Sequence, residues 1–129
     1  MMLIKHLWPS LLSTIAVFIL CLTPSQNLPK VEIVNIDKLA HAGLFGVLAY
    51  LYALGFYRQT SSSLLKSHFL LAAFMVAVGL GGLIELLQAN LDINRSGDWF
   101  DFLFDIAGAL LVSGLIRPAQ RYFPLILEK

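Results

Sequence analysis

The sequence predicts an all-α membrane protein: an antiparallel bundle of four transmembrane helices with both termini cytoplasmic. Three observations carry that expectation. Hydrophobic residues make up 58% of the 129 residues and charged ones 13%, about half the charged share of a soluble domain. Mean hydropathy is +0.78. The charges gather between four apolar runs, and the segments joining those runs are short. The length suffices for one domain, here taken as 1–129, and is too small for two ordinary ones. A single cysteine excludes an internal disulfide, and a net charge of +1 supplies no field to draw in nucleic acid.

A membrane helix needs roughly 20 mostly apolar residues, because the hydrocarbon core is about 30 Å thick and each residue rises 1.5 Å. Leu7–Leu22 carries no charge, and Pro24 follows to end it. It reads as an uncleaved span rather than a signal peptide, since Thr23-Pro24-Ser25-Gln26 offers no small-x-small site and bulky Leu20 precedes Cys21. Leu39–Tyr57 holds one ionisable residue, His41, and Phe69–Gln88 one, Glu85. Trp99–Ile116 holds Asp101 and Asp105 in its first two turns, with Pro118 expected to stop it. Residues 23–36, with Pro24 and Pro29, read as an extended loop, and residues 58–68 as a plain connector.

Orientation follows from lysine and arginine in the short loops. With the N-terminus inside, the inner side holds Lys5, Arg58, Lys66, Arg117, Arg121 and Lys129, and the outer side only Lys30, Lys38 and Arg95. Trp8, Tyr57 and Tyr122 then fall in the inner aromatic belt and Trp99 in the outer one. Seven of the eight acidic residues, Glu32 included, lie on the outer half, leaving Glu128 inside.

That topology brings three segments to one depth. Asp37, Lys38 and His41 open the second span, Glu85 and Gln88 close the third, and Arg95, Asp98, Asp101 and Asp105 lead into the fourth. Asp37 and His41 are four residues apart, so they share a face and are expected to hydrogen-bond. Small residues at helical spacing (Ala42, Gly46, Ala49 and Ala53; Ala73, Ala77 and Gly81; Ala109 and Ser113) allow the close helix approach that such convergence requires. Arg95 is expected to hold two carboxylates through its planar fork. Asp37, Glu85, Asp98, Asp101 and Asp105 against Lys38 and Arg95 give five minus two, a formal charge of −3. Protons, a cation or a basic ligand group must reduce that excess.

Asp37-Lys38-x-x-His41-x-x-x-Phe45, then Glu85-x-x-Gln88, then Arg95-Ser96 followed by Asp101 and Gly108, resembles the VanZ-like family over residues 35 to 115. The resemblance implies a small multi-pass protein of the bacterial inner (plasma) membrane. Founding members of that family are associated with resistance to glycopeptide antibiotics such as teicoplanin, and it carries no assigned molecular activity. Asp105 is a departure, because the family more often has asparagine there.

Three functions compete for the polar cluster. The leading one is non-enzymatic: an outward-facing pocket that binds an envelope lipid, a precursor or a glycopeptide, with Arg95 and Lys38 as anchors and the carboxylates accepting from donors. The second is a membrane-embedded enzyme, with His41 and Glu85 or Asp101 as acid and base, or with a divalent cation on His41, Glu85 and Asp101. The third is a structural or partner-binding subunit whose polar network locks the helices. Membrane lipids are the expected surroundings, nucleic acid is not an expected partner, and no organic cofactor is implied. Other features read as structural. Cys21 packs in an apolar span, and His6 and His68 lie at the inner surface. Gly79, Gly81 and Gly82 serve close packing. Asp92–Asp98 is a polar turn rather than a calcium loop, because Leu103 stands where the twelfth ligand belongs. Ser96 lacks a nucleophile elbow.

Overall fold

The structure, a computed structural model, describes residues 2–30 and 35–122. The expectations for Glu32, Glu128 and Lys129 lie outside these. The described residues form α1 (Met2–Leu22), a 3₁₀ turn (Ser25–Asn27), α2 (Ile36–Arg58), α3 (Ser63–Ser67), α4 (Phe69–Asn90) and α5 (Trp99–Tyr122), with no strand among them. α1, α2, α4 and α5 are each long and apolar enough to cross a membrane. They alternate in direction. The end of α1 meets the end of α4 through Cys21 and Gln88, while His6 at the start of α1 lies against Gly55 near the end of α2.

Three expectations about boundaries are corrected. Pro118 lies inside α5, which continues to Tyr122. The proline removes the bond to the carbonyl of Gly114, and α5 nevertheless carries on for one more turn beyond it. α2 starts at Ile36 rather than Leu39, so Asp37 and Lys38, expected to open the span, form its first helical turn. The connector is not plain either. It contains α3, whose first turn is capped by Ser62 Oγ accepting from the Leu65 amide at 3.3 Å. Fully buried Gln59 pins it to the end of α2, donating to the carbonyls of Phe56 (3.2 Å) and Ser62 (2.7 Å) and accepting from the Ser62 amide (2.8 Å).

α2 is the centre of the bundle, packing on α1, α4 and α5, whereas α1 does not reach α5 among the described residues. The reason lies in the small residues. A Cβ on Gly108 would collide with the Ala42 carbonyl, and one on Gly46 would lie 3.3 Å from the Gly108 oxygen, so α2 and α5 meet backbone to backbone. Ala49, Ala53, Ala73, Ala77 and Ala109 are fully buried beside Phe45, Leu48 and Ile84. Leu71, Met75, Leu86, Leu110 and Leu111 point outward, a bundle lined by small residues inside and by large apolar ones toward lipid.

Candidate functional site

All nine polar residues singled out above come to one end of the bundle, in two tiers. The shallow tier is built of ion pairs. Lys38 Nζ sits 3.4 Å from Asp98 and 3.3 Å from Asp101, and Arg95 sits 3.4 Å from Asp37. This reverses the expected division of labour. Arg95 takes one carboxylate only, because its other terminal nitrogen faces the carbonyls of Leu20 (3.3 Å) and Thr23 (3.5 Å) at the end of α1. The lysine is the one that bridges two acids. Gln88 ties the same helix end down, donating to the Cys21 carbonyl at 2.7 Å.

The deep tier is His41, Glu85 and Asp105. His41 does not hydrogen-bond to Asp37, which is more than half exposed and paired with Arg95. Its Nδ1 lies 2.9 Å from Asp105 Oδ1, while Nε2 faces Asp101 Oδ2 at 3.9 Å. Asp105 is completely buried, so with no water to solvate it the imidazole is its available partner. Gly81 makes the room, since a Cβ there would lie 2.8 Å from Asp105 Oδ2. Glu85 Oε2 accepts from the Asp98 amide at 2.8 Å, and Asp98 in turn caps α5 by accepting from the Phe100 amide at 2.8 Å. That amide, aided by Lys38, holds the Asp98 carboxyl below the usual carboxylate range. In this tier two buried carboxylate oxygens are left without a hydrogen-bond partner, Glu85 Oε1 and Asp105 Oδ2.

Two sets of three side chains come close enough to share a cation: Asp37, His41 and Asp101, and, deeper, His41, Glu85 and Asp105, each with donor atoms within 4.8 Å. His41 is common to both; Glu85 and Asp101, named together from the sequence, fall into different sets.

Besides an apolar cleft of about 530 Å³ between α4 and α5 that Glu85 borders, two clefts open beside the cluster. One, of about 340 Å³, is polar and lined by both cations with Asp37, Asp98, Asp101 and Gln88. The other, of about 490 Å³, is largely apolar and runs between α1 and α2 past Leu20, Ala40, Gly43 and Leu44. They are contiguous, sharing Leu28, Asp37 and Arg95. Sequence reasoning missed Leu28, and it missed the notch at Gly81. The latter had a signal in the four-residue step from Gly81 to Glu85.

Fold and site together define a multi-pass helical membrane protein with a charged cluster built into one end. The chain belongs to the VanZ/LLP1 family, whose model matches residues 3–121, nearly its whole length. No curated protein and no solved structure matches it.

Proposed function

We propose that the protein lies in the bacterial inner membrane with both termini cytoplasmic and its polar cluster outward, and that it binds an envelope amphiphile there, a lipid or a lipid-linked precursor. The observation that carries this reading is the junction of a polar cleft with an apolar one at Arg95, Asp37 and Leu28. An amphiphile needs both: a headgroup over the ions, and a chain along Leu20 and Leu44. Within the polar cleft three carboxylates face two cations. That balance suits a headgroup carrying phosphate for Arg95 and Lys38 together with hydroxyl or ammonium donors for Asp37 and Asp98. A purely anionic headgroup fits it badly. The orientation is supported by Lys5, Arg58, Lys66, Arg117 and Arg121 gathering at the end opposite the cluster.

The test is the melting temperature of the full chain in detergent, wild type beside Arg95→Ala. The ligands offered are a zwitterionic phospholipid, an anionic one, a lipid-linked wall precursor and a glycopeptide. A ligand at 100 times its Kd stabilises by about 2.7 kcal/mol. A shift with the zwitterionic lipid or the precursor, lost in the variant, supports the reading. A shift with the glycopeptide alone moves the ligand to the antibiotic. No shift with any of them, and a variant that is merely less stable, leaves a structural network in its place.

One observation favours a second reading, acid–base catalysis on the same class of lipid: His41 is oriented by Asp105 at 2.9 Å, as a general base is. In that case His41→Gln abolishes turnover of the lipid while the ligand-induced shift survives.

A further inference from the structure

We propose that His41, Glu85 and Asp105 hold one first-row divalent cation, of the Zn²⁺ or Mn²⁺ kind, at the floor of the cluster. The inference does not rest on lipid binding, because no ion pair of the shallow tier takes part in it; His41 alone also borders the apolar cleft between α1 and α2.

The two candidate trios are distinguished by what their carboxylates already do. Asp37 is paired with Arg95 and Asp101 with Lys38, so the shallow trio has its counterions. In the deep trio, Glu85 is 92% buried and Asp105 wholly so, and each has an oxygen, Oε1 and Oδ2, with no partner. A buried, unpartnered carboxylate oxygen is costly, and two beside one imidazole are the donor set of a metal rather than of a hydrogen-bond network. Charge agrees. Two carboxylates and a neutral histidine carry −2, and one divalent ion cancels it without adding charge to an apolar surrounding.

Geometry agrees as well. Donor atoms at about 2.0–2.2 Å from a shared tetrahedral ion lie about 3.3–3.6 Å apart, so a trio within 4.8 Å closes on one with side-chain shifts of at most about 1 Å. His41 Nδ1 lies 2.9 Å from Asp105 of this trio and Nε2 faces Asp101 at 3.9 Å. An ion taken up on Nδ1 would replace its hydrogen bond to Asp105 and leave the ring hydrogen on Nε2. A carboxylate behind the far nitrogen is the usual support of a metal-binding histidine. One nitrogen with two carboxylates suits Zn²⁺ or Mn²⁺ better than all-oxygen Mg²⁺ or Ca²⁺ sites.

The experiment uses tag-free full-length protein in detergent, loaded with Zn²⁺, desalted and assayed for bound metal, with Mn²⁺ and Mg²⁺ as parallel arms. Wild type is expected to retain about one equivalent of Zn²⁺ and to melt lower in EDTA. Glu85→Gln and Asp105→Asn remove a negative charge with little change of shape. They are expected to bind at least about tenfold more weakly and to lose the EDTA effect while remaining folded. Wild type retaining far less than one equivalent overturns the assignment. So does an ion that survives both substitutions, or one lost in Asp37→Asn but kept in Glu85→Gln. Should a variant fail to fold, the visible spectrum of Co²⁺-loaded wild type decides: bands that Zn²⁺ displaces support the site, and their absence overturns it.

Discussion

Replacing Gly108 with alanine tests the contact on which the whole site rests. The added Cβ would sit 2.7 Å from the carbonyl carbon of Ala42 and 2.8 Å from its Cα, both backbone atoms that no rotamer change can move. Carbon atoms prefer about 3.5 Å or more, and the Ala42 carbonyl oxygen lies nearer still, so α5 must retreat from α2 by at least roughly 0.8 Å. One turn away, His41 and Asp105 are joined by a bond of 2.9 Å across the same helix pair. The same retreat takes it to about 3.7 Å, beyond hydrogen-bonding range. Overpacking costs about 1–3 kcal/mol, and breaking a buried bond to a charged group about 1–3 more, so the expected loss is on the order of 2–6 kcal/mol. The assay is equilibrium unfolding of detergent-solubilised protein. Gly114→Ala on the same helix serves as control, because a Cβ there meets nothing within 4 Å. Equal stabilities of the two variants would refute the backbone-to-backbone packing and, with it, the rigid placement of the deep tier.

Three further outcomes are expected. Gln59→Ala strands the Ser62 amide and two carbonyls at the end of α2, and should cost about 1–3 kcal/mol in the same unfolding assay, with ion and ligand binding unchanged. Gly81→Ala pushes directly on Asp105 Oδ2, and should weaken Zn²⁺ retention while leaving the Arg95-dependent melting shift in place. Asp98 has a carboxyl pKa lowered by folding. Its contribution is therefore present above the unfolded carboxyl pKa and lost as pH falls through the lower, folded value. Below about pH 4 the wild-type melting point should fall more steeply than that of Asp98→Asn, and parallel profiles would show that the cap is not carrying the effect.

The spans were legible because hydrophobic length is read without knowing any contact. Their antiparallel order follows from short loops, and with it the gathering of Asp37, His41, Glu85, Asp101 and Asp105 at one end. Pairing inside the cluster was not legible. Helical spacing put Asp37 beside His41, but which acid meets the ring depends on burial, and burial there is decided across helices, by the absence of a side chain at Gly81 and by Gly108 against Ala42. The planar fork of Arg95 likewise suggested that it holds two acids, when the carbonyls of Leu20 and Thr23 claim half of it. Pro118 was misplaced because a proline deprives a helix of one bond without having to end it, and α5 continues to Tyr122.

The carbonyls at the end of α1 also fix an order of events in synthesis. Cys21 is satisfied by Gln88, 67 residues later, and Leu20 and Thr23 by Arg95, 75 and 72 residues later. At translation rates of about 5–20 residues per second, that interval lasts roughly 3 to 15 s. For that long α1 stands in the bilayer with its last turn open, and only water or lipid headgroups can answer its carbonyls. α1 is thus finished only after α4 has been made, and closing its end waits on the same two residues that border the polar cleft.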